Sequence, residues 1–455
     1  MRKVSKLLAV LLTIVMLVSV SACGSNNAGT SDTSATPATS STKEASTAPA
    51  AEETASGDRA INIWCWDSSE SRAQMHQDFT DEMGIKVDLT AVLAVDMAQK
   101  LQTTLAAGGE MPDIAWCEAT YRGALLNLGI WEDITKDPYN FDKSQVLDYL
   151  VQLETSVDGQ YIAPECPSVA GLAYKRELTK KYLGTDDPAE LEKMLPTWND
   201  FIAKGKEVNK ASDGKVYMFS SLGALGVILK GQGDAPFVTG TKITFENSMK
   251  PILTQLAQFS AEGVVDVFDY DSAEEGASYA MDENIFYPCA NWSVNFTIKT
   301  NDKEGQNRWG FMLPPGGGFA MGGTVMAVPA AAKNKEDAVT YIKYFFLDER
   351  GAVLQRQYKG NFSPYKPIYD KAEPFYTSPD EWFAGQDVLK DIQTRVLPSI
   401  KSVRTPVPYD QNIQDAYNLA CKSINAARGN LDIDELLNTM ANELITNNPE
   451  LTREN

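Results

Sequence analysis

The sequence predicts an α/β protein whose globular body has two domains. After residue 58, an apolar strand at 60–66, a helix at 71–83, a strand at 85–91, a helix at 96–107 and a strand at 112–116 follow one another. This β-α-β-α-β order implies a parallel sheet with right-handed crossovers. The body, residues 58–455, is longer than one hydrophobic core usually supports, so we expect two domains.

Each of these elements is bounded by residues that start or stop regular structure. Asp67-Ser68-Ser69 ends the first strand, Gly84 the first helix and Gly108-Gly109 the second helix. Apolar spacing predicts further helices at 249–262 and 336–347, and Asp432 with Glu435 starts a last one. Residues 311–318 are predicted to be a flexible break and 322–329 a buried strand, with which the chain returns to the first sheet.

The N-terminus has the pattern of an export signal. Arg2, Lys3 and Lys6 precede the apolar run 7–18, which is too short to span a bilayer as a mature helix. Val20-Ser21-Ala22-Cys23 resembles the lipobox of bacterial lipoproteins, in which the cysteine is lipidated and becomes the mature N-terminus. We therefore predict a signal peptide at 1–22 and lipidation of Cys23; an ordinary signal peptide with an incidental cysteine is the alternative.

Residues 24–57 contain no Ile, Leu, Val, Met, Phe, Tyr or Trp, so this segment cannot bury enough apolar surface to fold. With Cys23 it forms a predicted disordered tether, 23–57, whose reach is roughly 30–35 Å. We expect a body held by a lipid anchor on the extracellular face of the cell membrane, in a Gram-positive type of cell.

Composition excludes several classes of function. The formal net charge of −20 argues against nucleic acid or an anionic lipid surface as a partner. With His76 as the single histidine and no CxxC spacing among the cysteines, we expect no metal, no organic cofactor and no Ser-His-Asp triad. The five cysteines besides Cys23 are interpreted as small buried hydrophobes rather than as a disulfide framework.

Several motifs together resemble the sugar-binding family of extracellular solute-binding proteins that serve ABC importers. They include Trp64-Cys65-Trp66-Asp67, Leu105-Ala106-Ala107-Gly108 with Pro112-Asp113-Ile114, and Trp309-Gly310-Phe311 with Gly322-Gly323 and Val328-Pro329. Lys333-Asn334-Lys335-Glu336 opens a helix in the same way, and Pro364-Tyr365-Lys366-Pro367 with Trp382-Phe383-Ala384-Gly385-Gln386 is similar to the branch of lactose- and arabinose-type oligosaccharide binders. The chain departs from the pattern at Ala384, usually Gly, and at Tyr174-Lys175-Arg176, usually Tyr-Asn-Lys.

The resemblance implies a two-lobed periplasmic-binding-protein-like fold, in which each lobe is a mostly parallel sheet flanked by helices and a ligand cleft lies between the lobes. The expected N-terminal lobe comprises 58–163 and 307–333, and the expected C-terminal lobe 164–306 and 334–455. It further implies a monomeric, non-enzymatic binding protein that captures an oligosaccharide and delivers it to ABC permease subunits.

A sugar needs flat aromatic faces for its C–H groups and polar side chains for its hydroxyls. Strand ends and loops supply this combination at Trp66, Asp67, Ser68, Glu118, Tyr121, Asn291 and Trp292. Gly322 and Gly323 would let backbone approach the ligand, with a simple turn as the alternative. Phe383, Gln386 and Tyr409 are weaker candidates, for which a peripheral packing role is an equal alternative. Trp64 and Trp116 are interpreted as core residues, and Trp292 is the preferred aromatic platform.

Two other classes of function stay open on the sequence. A polyamine- or peptide-binding protein would also combine acids with aromatics, because a cation packs on a ring face. An exported glycoside hydrolase would need two carboxylates roughly 5–10 Å apart, for which the sequence has no local signature.

Overall fold

The computed structural model describes residues 59–400 and 402–453, so the predicted signal peptide 1–22, Cys23 and the tether 23–57 lie outside the described residues. The strands are β1 Ala60–Cys65, β2 Lys86–Ala91, β3 Ile114–Glu118, β4 Val169–Lys175, β5 Tyr217–Phe219, β6 Val238–Thr239, β7 Lys242–Ile243, β8 Asn284–Ala290, β9 Trp309–Met312, β10 Phe319–Ala320, β11 Thr324–Ala327 and β12 Thr452–Arg453.

The α-helices are α1 Glu70–Met83, α2 Met97–Ala106, α3 Arg122–Leu126, α4 Asp148–Leu153, α5 Arg176–Leu183, α6 Pro188–Met194, α7 Trp198–Ala211, α8 Leu222–Gln232, α9 Phe245–Ser248, α10 Lys250–Ala261, α11 Ala273–Ser278, α12 Lys299–Asn301, α13 Lys335–Leu347, α14 Glu349–Lys359, α15 Val388–Asp391, α16 Asp410–Ala427 and α17 Ile433–Asn447.

The first sheet confirms the predicted β-α-β-α-β unit. Its strand order is β11-β3-β1-β2, and β1 pairs in parallel with both β2 and β3. Strand β11 returns to this sheet and runs antiparallel to β3, with Thr324 opposite Glu118. Trp64 and Trp116 are buried in its core, as expected. The carboxyl ends of β1 and β3 therefore lie at one edge of the sheet.

Local signals predicted the ends of several helices because these ends use side-chain or glycine caps. Ser69 caps α1 by accepting a hydrogen bond from the Arg72 amide, and Gly84 ends this helix in a left-handed conformation. At the start of α17, the Asp432 side chain accepts hydrogen bonds from the amides of Asp434 and Glu435.

The second sheet differs from the expected mostly parallel arrangement. Its order is β10-β4-β8-β5, with β9 also paired to β4. Strand β4 is antiparallel to β8, β9 and β10, and only β5 and β8 pair in parallel. Residues 311 and 312, predicted to begin a flexible break, lie in β9; the break itself follows at the Pro314-Pro315 turn.

The structure also differs from the expected lobe boundaries in two places. Within 307–333, which we expected in the N-terminal lobe, β9 and β10 pair with β4 of the second sheet. Within 334–455, which we expected in the C-terminal lobe, α13 packs on the first sheet's core. The Tyr341 ring lies 5.2 Å from that of Phe79 on α1, because the aromatic stripe of α13 completes this core.

The cysteines Cys65, Cys117, Cys166, Cys289 and Cys421 are free thiols, and all but Cys166 are buried. The interpretation as small buried hydrophobes is confirmed for the four buried cysteines, and none of the five forms a disulfide. Among the described residues, no helix has both the length and the apolar character needed to cross a membrane.

Candidate functional site

A cavity of about 810 Å³ lies between the two sheets. Its first wall comes from the end of β3 and the start of α3, and its second from α8, α16 and Trp292, two residues after β8. Segments that connect the two sheets complete the lining. The polar and aromatic lining residues are Glu118, Thr120, Arg122, Lys230, Phe237, Phe268, Asp269, Tyr270, Asp271, Trp292, Arg404, Thr405, Asp410, Gln414, Tyr417, Asn418, Lys422 and Asn425.

Glu118 stands at the carboxyl end of buried strand β3 and is half-buried at the cavity. Its Oε2 accepts a hydrogen bond of 2.8 Å from the Thr120 amide. Burial raises the pKa of Glu118, an effect that this hydrogen bond only partly opposes. Glu118 therefore presents a partly desolvated carboxyl group that can accept hydrogen bonds from a ligand.

Arg122, the first residue of α3, is buried and forms an ion pair with the buried Glu165. Burial raises the pKa of Glu165 to about 7, although the guanidinium opposes this effect. Glu154 Oε1 accepts a 2.7 Å hydrogen bond from the Glu165 amide, so a second buried carboxyl lies beside the pair. Within the described part of the chain, the Arg122 Nε has no hydrogen-bond partner.

Trp292 follows buried strand β8 and is half-buried at the cavity. Its indole Nε1 donates a hydrogen bond of 2.7 Å to Ser168 Oγ, which fixes the ring's edge. Gly322, at φ +76°, lies against the ring, and a Cβ there would come within 3.4 Å of Trp292 Cζ2. A larger residue at 322 would narrow the cavity beside the indole.

On the opposite side, Lys230 of α8 and Gln414 and Tyr417 of α16 form one group. Lys230 Nζ donates a 2.6 Å hydrogen bond to Gln414 Oε1 and lies 3.9 Å from the centre of the Tyr417 ring. Burial lowers the pKa of Lys230 to about 8. Asp410 begins α16, accepts one hydrogen bond from the Val407 amide, and has its pKa raised by burial to about 6.

The charges that line the cavity are balanced. Four carboxylates, from Glu118, Asp269, Asp271 and Asp410, face four cations, from Arg122, Lys230, Arg404 and Lys422. Among the described residues, Lys230 and Arg404 form no ion pair within 4.0 Å, and neither do Glu118 and Asp410. The cavity thus offers donors and acceptors of both signs without a net excess of either.

The predicted group Trp66, Asp67 and Ser68 is not among the residues that line this cavity. The rings of Trp66 and Trp116 meet edge to face with their centres 5.0 Å apart. Asp67 accepts hydrogen bonds from Arg72 Nε at 3.1 Å and from the Ser69 amide at 3.1 Å. Its third contact is an ion pair of 2.9 Å with Lys359. Ser68 is exposed.

Other predicted residues lie next to the cavity. Tyr121 is half-buried against the first core, and Asn291 is buried beside Trp292, where its Oδ1 accepts a hydrogen bond of 3.4 Å from the Val169 amide. Gly323, at φ +116°, packs on the Arg122–Glu165 pair. Tyr409 packs at the edge of the second sheet's core.

Phe383 and Gln386 make packing contacts in this fold, in line with the alternative given for them, and neither is among the residues that line the cavity. Phe383 is fully buried in a cluster with Trp309 and Phe311. Gln386 accepts a hydrogen bond of 2.9 Å from the Phe311 amide and donates one of 2.8 Å to the Phe311 carbonyl. The amide of Gln386 thereby satisfies the free edge of β9.

Four further residues line the cavity that no sequence pattern predicted: Lys230, Arg404, Asp410 and Tyr417. Arg404 lies with its guanidinium 3.6 Å from the centre of the Phe237 ring, and its Nε donates a hydrogen bond of 2.7 Å to the Ala235 carbonyl. Only a tertiary contact between α8, α16 and the segment before α16 brings these residues to one cavity. In the described residues, no group of three or more His, Cys, Asp and Glu side chains could hold a metal ion.

The sequence profile of the bacterial extracellular solute-binding proteins matches residues 74–380, more than half of the chain. The chain belongs to this family, whose members bind substrates and are not enzymes. A comparison with curated proteins found no match.

Solved structures share the fold. An extracellular solute-binding protein of family 1 is 18% identical, with a TM-score of 0.75 over 85% of this chain and 99% of its own. The galacto-N-biose-/lacto-N-biose I-binding protein of the ABC transporter from Bifidobacterium longum, solved with lacto-N-biose, is 19% identical (TM-score 0.69; 86% and 98% of the chains). An ABC transporter associated binding protein from B. animalis subsp. lactis Bl-04, solved with β-1,6-galactobiose, is 18% identical (TM-score 0.68; 88% and 100%).

Proposed function

We propose that this protein is the substrate-binding component of an ABC-type importer and that it captures an oligosaccharide in the cavity between its two lobes. The observation that carries the proposal is the lining of the cavity, which combines aromatic rings with equal numbers of acidic and basic groups. Hydroxyl groups both donate and accept hydrogen bonds, so a neutral sugar is suited to such a wall. The oligosaccharides bound by the two bifidobacterial proteins of the same fold support this ligand class.

In this proposal Trp292 provides an aromatic face, and Glu118, Lys230 and Asp410 bind hydroxyl groups. The other predicted residues lie at the edge of these proposed sugar contacts or outside them: Trp66, Asp67, Ser68, Tyr121, Asn291, Gly322, Gly323 and Tyr409. Closure of the two lobes over the sugar would remove it from water before delivery to the permease subunits.

A polyamine- or peptide-binding protein is the second candidate, because Glu118 and Asp410 have no cationic partner among the described residues and would suit an amine. Salt distinguishes the two ligand classes. Binding of a neutral sugar should change less than about twofold between low and high ionic strength, whereas binding of a polyamine should weaken steadily because salt screens its charges.

The experiment is a thermal-shift screen of oligosaccharides, with spermidine and short peptides as comparison ligands, followed by calorimetric titration at two salt concentrations. A sugar at 100 times its Kd should add about 2.7 kcal/mol to the free energy of unfolding. Stabilisation by spermidine alone, weakened by salt, would overturn the sugar proposal. Release of shorter sugars during incubation would contradict a role in binding without catalysis.

We further propose that Cys23 carries a lipid that anchors a monomeric protein to the extracellular face of a Gram-positive cell membrane. The support is the lipobox-like Val20-Ser21-Ala22-Cys23 and the apolar-poor segment that follows. Cys23→Ser should move the protein from the membrane to the soluble fraction, whereas the neighbouring Ser25→Ala should leave it on the membrane. A Cys23→Ser variant that stays membrane-bound would refute the anchor.

A further inference from the structure

Two segments that connect the sheets run side by side. Residues 164–168 lead from the first core into β4, and residues 321–323 lead from β10 back to β11. They are antiparallel: the Met321 amide donates to the Ser168 carbonyl at 3.0 Å and the Met326 amide to the Pro164 carbonyl at 3.2 Å. We call residues 164–168 and 321–326 the crossover ribbon. Any change in the angle between the lobes must bend or twist it.

Trp292 holds the second-lobe end of this ribbon. Its Nε1 donates a hydrogen bond of 2.7 Å to Ser168 Oγ and lies 3.4 Å from the Met321 carbonyl oxygen. Ser168 Oγ itself donates a hydrogen bond to the same carbonyl. One indole N–H thus contacts both strands of the ribbon. Gly322, the next residue, packs against the ring of the same indole.

Arg122 holds the first-lobe end. Its guanidinium pairs with Glu165, and Glu165 lies opposite Val325 across the ribbon. A Cβ on Gly323 would come within 2.7 Å of Arg122 Nη2 and 2.6 Å of Glu165 Oε2, so the ribbon and the ion pair are in direct contact. The Gly323 carbonyl accepts a hydrogen bond of 3.0 Å from the amide of Ala119, the residue directly after β3.

Trp292 and Arg122 come from different lobes, and both also line the cavity. We propose that Trp292 is a positioning residue that couples occupancy of the cavity to the angle between the lobes, through the hydrogen bonds of its indole N–H to Ser168 and Met321. A ligand on the ring orients the indole, and the indole orients both strands of the ribbon. The opposing contact at Arg122 fixes the other end, so a shift at Trp292 is converted into a rotation of the lobes.

A ligand changes a conformational equilibrium only by its difference in affinity for the two states. The indole supplies such a difference, because its N–H can reach Ser168 and Met321 together only in some arrangements of the ribbon. The inference rests on the proposed function only for the identity of the ligand. The hold of the Trp292 N–H on the crossover ribbon can be measured without any ligand.

The test compares Trp292→Phe, which keeps an aromatic ring and removes the N–H, with Ser168→Ala, which removes the acceptor and keeps the indole. Ser248→Ala is the matched control, because Ser248 is also buried and donates 2.9 Å to a backbone carbonyl, that of Thr244. Amide hydrogen exchange of the ligand-free protein should be at least about tenfold faster in the two ribbon variants and unchanged in the control. The amides that report on the ribbon are those of residues 165, 166, 168, 169 and 321–326.

Small-angle scattering then follows closure upon addition of lacto-N-biose or β-1,6-galactobiose, whichever binds the unaltered protein. The ribbon variants should bind it with a smaller decrease in radius of gyration, while their melting temperatures stay within a few degrees of the control. Unchanged exchange at the ribbon in both variants would overturn the inference, whatever the ligand result. Failure of every sugar to bind the unaltered protein would refute the sugar proposal alone, and exchange would still decide the role of Trp292 in the ribbon.

Discussion

Asp67 in the first lobe and Asp410 in the second differ in how fully their carboxylates are bonded. For Asp67, burial would raise the pKa, but Ser69, Lys359 and Arg72 outweigh burial and hold the pKa below its usual range. Asp410 accepts a single backbone hydrogen bond, and burial raises its pKa to about 6. The saturated carboxylate stabilises the fold, whereas the carboxylate with free lone pairs can bind a ligand.

Asp67→Asn should give the largest effect. It leaves the buried side chains of Arg72 and Lys359, 4% and 3% exposed, without their shared negative charge. We expect a loss of about 3 kcal/mol in the free energy of unfolding, at the lower end of the range for broken buried pairs. Denaturant titration at neutral pH measures this loss.

Asp410→Asn is the matched comparison. It should change the free energy of unfolding by less than about 0.5 kcal/mol and weaken sugar binding by about tenfold, the value of one hydrogen bond to a charged group. If Asp67→Asn left stability unchanged and abolished binding, the comparison would be reversed and the ligand would belong at Trp66–Asp67.

Trp292 and Trp66 also differ in the role we expect: Trp292 in ligand binding and Trp66 in stability. Trp292→Ala removes a ring at the cavity and should weaken sugar binding by about 10- to 100-fold through lost stacking and apolar contact. Trp66→Ala removes a ring that packs on Trp116 outside the cavity lining, so it should lower the melting temperature and change affinity less than about threefold. Calorimetry and thermal melting on both variants decide this; a larger loss of affinity for Trp66→Ala would contradict the assignment.

The sequence predicted the first sheet better than the second, and the reason is physical. The β-α-β-α-β unit is local: strands β1 to β3 and their helices are set by residues close in sequence, such as Ser69 and Gly84 at the ends of α1. The pairing of β9 with β4 joins residues far apart in the chain, and no pattern in Trp309–Met312 specifies its partner. The expectation that the second sheet is mostly parallel was wrong for this reason.

The residues of the candidate site likewise fall into those that local sequence could predict and those that it could not. Glu118 and Trp292 could be predicted because Glu118 ends buried strand β3 and Trp292 lies two residues after buried strand β8, and strand ends meet at the edge of a sheet. Lys230, Tyr417 and Asp410 could not be predicted. Lys230 is a lone charge near the end of the apolar helix α8, and the polar residues of the amphipathic helix α16 resemble any solvated face. For Phe383 the sequence left a site role and a packing role open, because an aromatic residue in a family-like motif has the same sequence signature in a core as in a site.

The chain's single histidine, His76, lies in a buried cluster of the first lobe with Arg72 and Tyr341, which we call the first-lobe cluster. His76 is buried near Arg72, and its Nε2 lies 2.9 Å from the Tyr341 hydroxyl. Burial, followed by the positive charge of Arg72, lowers the pKa of His76 to about 3, against an ordinary value of 6.5. The unfolded chain therefore binds a proton at this residue below about pH 6.5, and the folded protein does not until about pH 3.

A folded-state pKa below the unfolded value means that the stabilisation is present above pH 6.5 and is lost as the pH falls. Between pH 7 and 5.5 the protein should lose about 1.2 kcal/mol more of its free energy of unfolding than His76→Gln, which has no such titration and can still bond to Tyr341. Urea denaturation of both proteins across this range isolates the residue, because groups common to the two cancel in the difference. Parallel curves would show that His76 is protonated equally in both states, and that the first-lobe cluster is more open to water than the buried pairs Arg72–Asp67 and Lys359–Asp67 require.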